Sequence, residues 1–344
     1  MKNKIKFLVI GLGSMGKRRV RNLIALGFKD NIAGFDKSKE RRAEAKKYDI
    51  TIYDNFDIAL KSQIPDAFII STPPNFHMHY GFIAAENNIS CFIEASVVDS
   101  NKILELAEII KGRDIVMAPS CTMRFYPGPL KIKELITNGA IGKVLNYNYH
   151  TGQYLPDWHP WENINDFYVS NPDTGGCREI VPFELTWLND VFGEPKPLAC
   201  VRRKLTHISA NIDDIYHCIL EYPNNLIGNL TVDVISRPRS TREIRILGSV
   251  GEIVYNADNN CVKYINTDME AWEIFSLDTG TIENGYINPE EPYINEIRAF
   301  IDAIKSVKNE RASTYPNTLE DDYKILQLLY KLEDLSEGTN DLSR

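Results

Sequence analysis

Short apolar runs alternate with helical patterns through the first third of the chain, and this alternation constrains the fold more than any other feature. The runs are almost continuously apolar, as are strands buried on both faces of a sheet. They lie at residues 4–11, 31–36, 66–72, 90–96 and 114–120, with a short segment at 50–55 between the second and third runs. Because helices connect them, the strands are expected to run parallel. The pattern predicts an α/β domain with a doubly wound parallel sheet over residues 1–122.

The pattern changes from about Cys121 onward. Strands in this half alternate apolar and polar residues and are separated by turn residues, for example at residues 144–152, 214–222 and 242–249. They predict a C-terminal α+β domain over residues 123–344, with an open mixed or antiparallel sheet. The last helices of the chain are amphipathic, and we expect them to pack back on the first domain.

Composition argues against several classes of protein. A net charge of −8 over 344 residues is unfavourable for a sequence-independent nucleic-acid binder, which needs a basic surface. The six cysteines are scattered without a C-x-x-C pair, so we expect no metal site and no disulfide framework. Reduced cysteines are typical of a cytoplasmic protein. No apolar stretch has the length of a membrane span, so no membrane partner is expected.

A glycine-rich loop follows the first strand and opens the first helix, and its residues are Gly11, Leu12, Gly13, Ser14, Met15 and Gly16. In a G-x-G-x-x-G loop the first glycine permits a tight turn, the second lets a pyrophosphate approach, and the third lets helix and strand pack closely. A triphosphate-binding loop is disfavoured, because Arg18 stands where that motif needs Ser or Thr.

Asp36 ends the second predicted strand, 20 residues after Gly16. A carboxylate at this place can hold the adenosine ribose hydroxyls and repels a 2′-phosphate. Loop and carboxylate together predict a Rossmann domain that binds NAD, with NADP disfavoured.

With four further segments, the chain resembles the Gfo/Idh/MocA family of NAD(P)-dependent sugar and cyclitol oxidoreductases. These segments are residues 71–77, 92–94, 121–125 and 139–144. The resemblance implies that the cofactor lies along a loop after the third long strand and near the residue that begins the family's E-K-P motif. The cofactor-binding residues so implied are Ser71, Thr72, Pro73, His77 and Glu94. It also implies a homodimer or homotetramer formed through the C-terminal sheet.

The departures from the family lie at the residues that move protons. The E-K-P motif reads Glu94-Ala95-Ser96, so its lysine is absent. Where the family has a D-x-x-H element, Ile180 stands in the place of Asp and Phe183 in the place of His. Without a proton acceptor, a hydroxyl carbon cannot lose its hydride efficiently.

Two carboxylates, Glu179 and Glu184, flank these lost positions. They are five residues apart, about 140° around a helix, so they are not expected to point into the same cleft. Either is a candidate replacement, and the alternative is a surface or capping role.

The segment at residues 152–161 crowds Tyr, Asp, Trp and His between prolines. His159 is our first candidate for the acid/base, because an imidazole titrates near neutral pH, followed by Tyr154 and Glu184. The predicted substrate-binding residues are Arg124, Arg178, Trp158 and Asp157. The alternative is a packed loop whose aromatic side chains only fill an interface.

Three functional hypotheses remain. The first is an NAD-dependent oxidoreductase acting on a hydroxyl or keto group of a sugar or nucleotide sugar, with a non-standard acid/base. The second is an enzyme that uses NAD transiently for a redox-neutral epimerisation or elimination. The third is a catalytically silent regulatory protein that binds NAD or a sugar.

Overall fold

A computed structural model of the chain describes residues 5–158, 163–278, 280–286 and 288–341, except for the side chains of 337–341. The chain divides into two compact units. The first comprises residues 1–122 and 281–324, and the second comprises residues 123–280 and 325–344. The first unit is therefore discontinuous in sequence.

The sheet of the first unit contains six strands in the described residues. They are β1 (Phe7–Ile10), β2 (Ile32–Phe35), β3 (Thr51–Tyr53), β4 (Ala67–Ile70), β5 (Ser90–Ile93) and β6 (Met117–Pro119). All pairs are parallel, in the order β3-β2-β1-β4-β5-β6. The direction of winding reverses between β1 and β4, and ligands of such sheets bind beyond the carboxyl ends of the strands at that point. The predicted doubly wound parallel sheet is confirmed.

One strand and one helix of this unit escaped prediction. The segment at 50–55 contains β3, an edge strand whose first residue is exposed and whose other two are half-buried. A helix at Phe56–Gln63 follows it, and Ala59 is its fully buried residue. Neither element needs a continuous apolar run, which is why the pattern of the long strands missed them.

The second unit is built on a mixed sheet. Its strands are β7 (Val144–Gly152), β8 (Lys196–Arg203), β9 (Ile215–Tyr222), β10 (Leu226–Asp233), β11 (Thr241–Gly248), β12 (Gly251–Asn256), β13 (Cys261–Asn266) and β14 (Glu273–Ser276). Their order is β14-β13-β12-β11-β7-β10-β9-β8, with β7 and β10 parallel and the other described pairs antiparallel. The predicted open, mixed sheet is thus confirmed.

Nine helices occur in the described residues. They are α1 (Ser14–Ala25), α2 (Lys39–Ala45), α3 (Phe56–Gln63), α4 (His77–Glu86), α5 (Ser100–Ile110), α6 (Pro127–Thr137), α7 (Cys177–Phe192), α8 (Glu291–Val307) and α9 (Leu319–Asp341). In the first unit α8 packs against α1, and in the second unit α7 packs against β9 and β10. Over the described ranges, no helix is both long and apolar enough to cross a bilayer.

The two faces of the second sheet differ. On β7, Tyr147, Tyr149 and Thr151 are buried beneath the helices, whereas Asn148 is exposed and His150 half-buried on the opposite face. This alternation follows from the twofold period of a strand. One face of the sheet is therefore core and the other is open.

Candidate functional site

The glycine loop of the first unit has a different requirement at each glycine. Gly11 has φ of 89°, in the left-handed region, and a Cβ there would lie 2.5 Å from the Ser71 carbonyl oxygen. At Gly16 a Cβ would lie only 1.8 Å from the Gly11 carbonyl oxygen. At Gly13 the nearest atom is 3.9 Å away, in the Arg41 guanidinium. The loop is therefore closed at its first and third glycines and open at its second, where a phosphate needs room.

The first turn of α1 adds donors beside that opening. The helix begins at Ser14, and the residue before it, Gly13, supplies no side-chain cap. The N–H groups of such a turn, together with the helix dipole, favour an anion. Leu12 is fully buried beneath the loop, and Met15 lies in the first turn. The loop therefore has the shape and the donors that a pyrophosphate requires.

Asp36 is fixed at the end of β2 by backbone hydrogen bonds. Its Oδ2 accepts the Leu12 N–H at 2.7 Å, and its Oδ1 accepts the Ser38 N–H at 2.8 Å. Arg41 stands 4.0 Å from the same carboxylate. Since each carboxylate oxygen can accept a second hydrogen bond, Asp36 keeps capacity for a ribose hydroxyl.

The loop after β4 contains a buried hydroxyl without a partner. No described group forms a hydrogen bond with Thr72 Oγ1. His77 bonds through Nε2 to the Thr72 carbonyl oxygen at 2.8 Å, and burial lowers its pKa. Burial therefore favours the neutral ring of His77, which holds this loop through its hydrogen bond to the Thr72 carbonyl oxygen. Pro73 lies between the two, just before a 3-10 turn at Pro74–Phe76. Thr72 is left free to bind a ligand.

Glu94 is held by a buried arginine. Arg19 Nε donates to Glu94 Oε1 at 2.7 Å, and its NH2 donates to Oε2 at 3.0 Å. The same guanidinium lies 2.9 Å from Glu296 on α8 and stacks on the ring of Phe92. Ser71 Oγ also approaches Glu94, at 3.3 Å. The carboxylate predicted to bind the cofactor is thus also the partner of a buried cation.

Glu296 carries the other half of this buried network. Its Oε1 accepts hydrogen bonds from Ser120 Oγ and the Cys121 N–H, and its Oε2 accepts one from Thr122 Oγ1 at 2.7 Å. Burial raises the pKa of Glu296, and Arg19 opposes that rise. A glutamate from residues 281–324 therefore anchors the end of the parallel sheet.

Asp322 is a second buried acid of the first unit. It lies near Ser96, the residue in the place of the family's proline, and burial raises its pKa to about 7. Neither Asp322 Oδ2 nor Ser96 Oγ has a hydrogen-bond partner in the described part of the chain. Below about pH 7, the buried Asp322 carboxyl is therefore largely protonated and neutral.

A neutral buried acid makes stability depend on pH with a definite sign. Between about pH 4 and pH 7 the folded state holds a proton on Asp322 that the unfolded state has released, so stability falls as the pH rises. We expect wild type to lose about 1.4 kcal/mol per pH unit in this window relative to Asp322→Asn. Urea unfolding at several pH values measures the difference, with Glu320→Gln, exposed in the same turn, as control. Parallel pH dependences of wild type and Asp322→Asn would contradict this assignment.

In the second unit, Glu184 lies inside the core. Its side chain is fully buried, and it accepts hydrogen bonds from Tyr149 Oη at 2.6 Å, Trp187 Nε1 at 2.9 Å and Arg242 NH2 at 2.7 Å. Three donors satisfy this carboxylate. All three donors belong to the protein, and an acid/base role for Glu184 stays a prediction.

Glu179 lies elsewhere on the same helix. It accepts a hydrogen bond from Tyr168 Oη on Oε1 at 2.8 Å, while its Oε2 is shielded from solvent and has no partner in the described residues. Burial raises the pKa of Glu179 to about 7, and the bond from Tyr168 opposes the rise. An acid with this pKa can exchange a proton at neutral pH.

Both arginines predicted to anchor the substrate have protein partners. Arg124 Nε donates to the Thr186 carbonyl oxygen at 3.0 Å, and Arg178 Nε donates to Glu333 Oε1 at 2.7 Å. These contacts tie each side chain to the second unit's own framework. The role of Arg124 and Arg178 as substrate anchors stays a prediction.

The predicted aromatic loop is described only up to Trp158. Tyr154 is half-buried beneath the guanidinium of Arg237, 4.7 Å from its ring centroid. Asp157 is exposed, and Trp158 is half-buried with an Nε1 that lacks a partner among the described residues. His159, our first candidate for the acid/base, lies outside the described residues. The loop therefore stays a predicted substrate-binding segment.

Sequence reasoning missed Tyr168, Ser96 and Asp322 as possible members of a site. One signal was available for Tyr168, since a glycine pair just before a helix indicates a close backbone approach. Nothing local marks Asp322, whose neighbour Ser96 is distant in sequence. Over the described residues, no cluster of three or more His, Cys, Asp or Glu side chains could hold a metal ion.

Strand order, glycine loop and Asp36 together define a dinucleotide-binding domain in the first unit. Residues 5–117 match the model of an oxidoreductase family with an NAD-binding Rossmann fold, and residues 130–254 match the Gfo/Idh/MocA C-terminal domain. The chain therefore belongs to the Gfo/Idh/MocA family, as its motifs predicted, and residues 5–117 form an NAD(P)-binding Rossmann domain.

Among related sequences, a D-xylose 1-dehydrogenase (NADP(+)) of Hypocrea jecorina is 24% identical over 228 residues, covering 60% of this chain and 56% of that protein. The match thus spans little more than half the length of this relative. A levoglucosan dehydrogenase, solved with NADH and L-sorbose, superposes with a TM-score of 0.80 at 17% identity, covering 97% of each chain. An inositol dehydrogenase homolog from Azotobacter vinelandii, solved with NAD+, superposes with a TM-score of 0.80 at 13% identity, covering 98% of this chain and 96% of that one. At these identities the structural likeness establishes the fold alone.

Proposed function

We propose that the chain is an NAD(P)-dependent oxidoreductase that acts on a hydroxyl or keto group of a sugar-like molecule. The observation that carries this proposal is the intact nucleotide cradle, in which Gly13 leaves an opening and Asp36 and Thr72 retain hydrogen-bonding capacity. A related sequence is named for D-xylose, and similar folds are named for levoglucosan and inositol, which supports a polyhydroxylated substrate. Bound NAD(P)+ would accept a hydride from the substrate carbon.

The proton acceptor must differ from that of the family. Ala95 has no ionisable group where the E-K-P motif has lysine, and Ile180 and Phe183 have none where Asp and His are expected. Glu94 cannot replace the lysine, because Arg19 engages both of its oxygens. A non-standard acid/base is therefore part of the proposal.

The test is a substrate panel at fixed protein concentration. D-xylose, levoglucosan and myo-inositol are each incubated with NAD+ or NADP+, and absorbance at 340 nm and sugar products are followed together. Net formation of reduced cofactor supports the oxidoreductase. A changed sugar without net reduced cofactor would favour the redox-neutral epimerase or lyase. Nucleotide binding by calorimetry without any product would favour the silent binding protein.

We further propose NAD as the preferred cofactor. The Asp36 carboxylate repels a 2′-phosphate, while Arg41, 4.0 Å away and half exposed, would attract one. Asp36→Asn keeps the side-chain shape but removes the charge, so we expect the preference for NADH over NADPH to fall about tenfold, or about 1.4 kcal/mol. Fluorescence titration with both cofactors measures the ratio of dissociation constants. Arg41→Ala should shift the ratio the other way, and an unchanged ratio in Asp36→Asn would remove Asp36 from cofactor choice.

Two smaller proposals concern assembly and location. The open face of the second sheet supports a homodimer or homotetramer formed through that sheet, which light scattering after size-exclusion chromatography would measure.

The cysteines are free and, except for the half-buried Cys261, buried. Free thiols of this kind support a cytoplasmic location.

A further inference from the structure

Two cysteines lie opposite each other on neighbouring strands of the second sheet. Cys200 of β8 is paired with Cys218 of β9 in the antiparallel register. Their sulfur atoms are 3.9 Å apart. Residues directly opposite on antiparallel strands have Cα atoms about 4.5–5.5 Å apart, within the range that disulfides span. The backbone therefore already has the separation that an S–S bond requires, and only the two side chains need to turn.

Strand β8 is an edge of the sheet, so one side of the cysteine pair can open. It stands last in the strand order, whereas β9 lies between β8 and β10. Of the eight residues of β8, Cys200 is the one that is buried. The Arg202 N–H donates to Ser336 Oγ of α9 at 3.1 Å and tethers the strand from outside the sheet. Because segments with few buried side chains open locally at low cost, β8 can expose Cys200 to a small oxidant.

The two thiols differ in chemical character. The Cys218 thiol donates toward the Cys200 sulfur, and this hydrogen bond lowers the pKa of Cys200 against the effect of burial, with help from the charge of Arg202. The same hydrogen bond, together with burial, raises the pKa of Cys218 well above its usual range. The thiolate is the nucleophile in thiol oxidation. Cys200 is therefore the sulfur that reacts first, and Cys218 is the sulfur that resolves the product.

We propose that Cys200 and Cys218 form a reversible redox-modification site, which a hydroperoxide such as hydrogen peroxide oxidises to a cross-strand disulfide. The Cys200 thiolate attacks one peroxide oxygen and becomes a sulfenic acid, while the O–O bond breaks and the other oxygen leaves as water with the proton that Cys200 released. The Cys218 sulfur then attacks the Cys200 sulfur. The S–S bond forms, the S–O bond breaks, and the hydroxyl leaves as water with the Cys218 proton.

The balance of this reaction is that of a two-electron oxidation. The two thiols together lose two electrons and two hydrogens, and the peroxide gains them and becomes two molecules of water. A transient disulfide that senses oxidants is the kind that cytoplasmic proteins form. The pair belongs to the second unit, and its assignment does not use the proposed oxidoreductase activity.

The first experiment follows the bond in the intact full-length chain. Reduced protein is exposed to increasing hydrogen peroxide in native buffer, and catalase then removes the excess. We expect the thiol titre, measured after denaturation, to fall by two from six per chain and to return with dithiothreitol. Trypsin cleaves after Arg202 and Lys204, between the two cysteines, so mass spectrometry without reduction should find their two peptides joined.

The second experiment assigns the two roles. In Cys218→Ala the sulfenic acid on Cys200 loses its resolving thiol, so dimedone, which traps sulfenic acids, should label Cys200. In Cys200→Ala the buried Cys218 should stay unlabelled. Cys261→Ala is the matched control, because Cys261 is half-buried and more accessible than either member of the pair. The joined peptides should form in Cys261→Ala as they do in wild type.

The outcomes decide for or against the pair. Reversible loss of two thiols, joined peptides that contain Cys200 and Cys218, and loss of the joined peptides in each single variant support it. A thiol titre that stays at six, or oxidation of Cys261 without joined peptides, overturns it. A bond through Cys177, which lies in the same core with its thiol donating to the Val232 carbonyl oxygen, also overturns it.

The test stays decisive if a variant does not fold, because the peptide map of wild type by itself names the joined residues. None of these measurements depends on turnover. Failure of the cysteine pair would therefore leave the proposed oxidoreductase standing, and absence of turnover across the sugar panel would leave the pair standing.

Discussion

Gly16→Ala is expected to weaken nucleotide binding strongly. The added Cβ would lie 1.8 Å from the Gly11 carbonyl oxygen, which is backbone and cannot rotate away. Relieving the overlap requires α1 to move off β1, which destroys the cradle and destabilises the first unit by about 1–3 kcal/mol. We expect the affinity for NADH to fall by at least about 100-fold. Isothermal titration calorimetry measures the affinity, and urea unfolding measures the stability.

Gly13→Ala is the matched control, because it adds the same methyl group to the same loop. Its Cβ would meet nothing nearer than the Arg41 guanidinium at 3.9 Å, so the stability should be close to that of wild type. The methyl would occupy the opening assigned to the pyrophosphate, so NADH affinity alone should fall. Wild-type affinity in Gly16→Ala would contradict the cradle. Wild-type affinity in Gly13→Ala would place the phosphates elsewhere.

Arg19→Met is expected to destabilise the first unit strongly. The substitution keeps much of the apolar volume but leaves Glu94 and Glu296 without the buried cation that lies 2.7 and 2.9 Å from them. Removing one partner of a buried ion pair costs about 3–5 kcal/mol, because the remaining charge stays desolvated. Urea unfolding at pH 7 measures this loss of stability. Since the abandoned carboxyls can bind protons, the deficit should shrink as the pH falls.

Lys102→Met serves as the control for charge removal. Lys102 is more than half exposed. It forms an ion pair at 3.1 Å with Asp99, three residues earlier, at the surface of the unit. Such pairs contribute at most about 1 kcal/mol. A loss in Arg19→Met no larger than in Lys102→Met would show that the buried network does not stabilise the unit.

The sequence predicted the parts of the fold that depend on local pattern. Continuous apolar runs predicted the buried strands of the first sheet, and twofold alternation predicted an open second sheet. The edge strand β3 was missed because exposed Thr51 interrupts any apolar run. We expected the last helices to pack back on the first domain, but the bounds of that contribution, residues 281–324, were beyond local pattern, because an amphipathic helix such as α8 shows that it packs but not where its unit begins and ends.

The candidate site also contains residues that local sequence pattern predicts and residues that it does not. The spacing from Gly11 to Asp36 has a single geometric use, so the residues of the cradle could be named in advance. The partners of Arg19 are 75 and 277 positions away and carry no signal in sequence. The sequence could not distinguish Glu179 from Glu184. In the structure Glu184 is fully buried in the core, whereas Glu179 is half-buried. Chemistry that depends on helical phase or on distant partners needs coordinates.

The discontinuity of the first unit has a consequence for synthesis on the ribosome. Arg19 emerges early, but Glu296 follows only after every strand of the second sheet has been made. Until then the nascent nucleotide-binding domain lacks α8, which packs on α1, and Arg19 has only one of its two carboxylate partners. The domain that is translated first is therefore completed only after the second sheet.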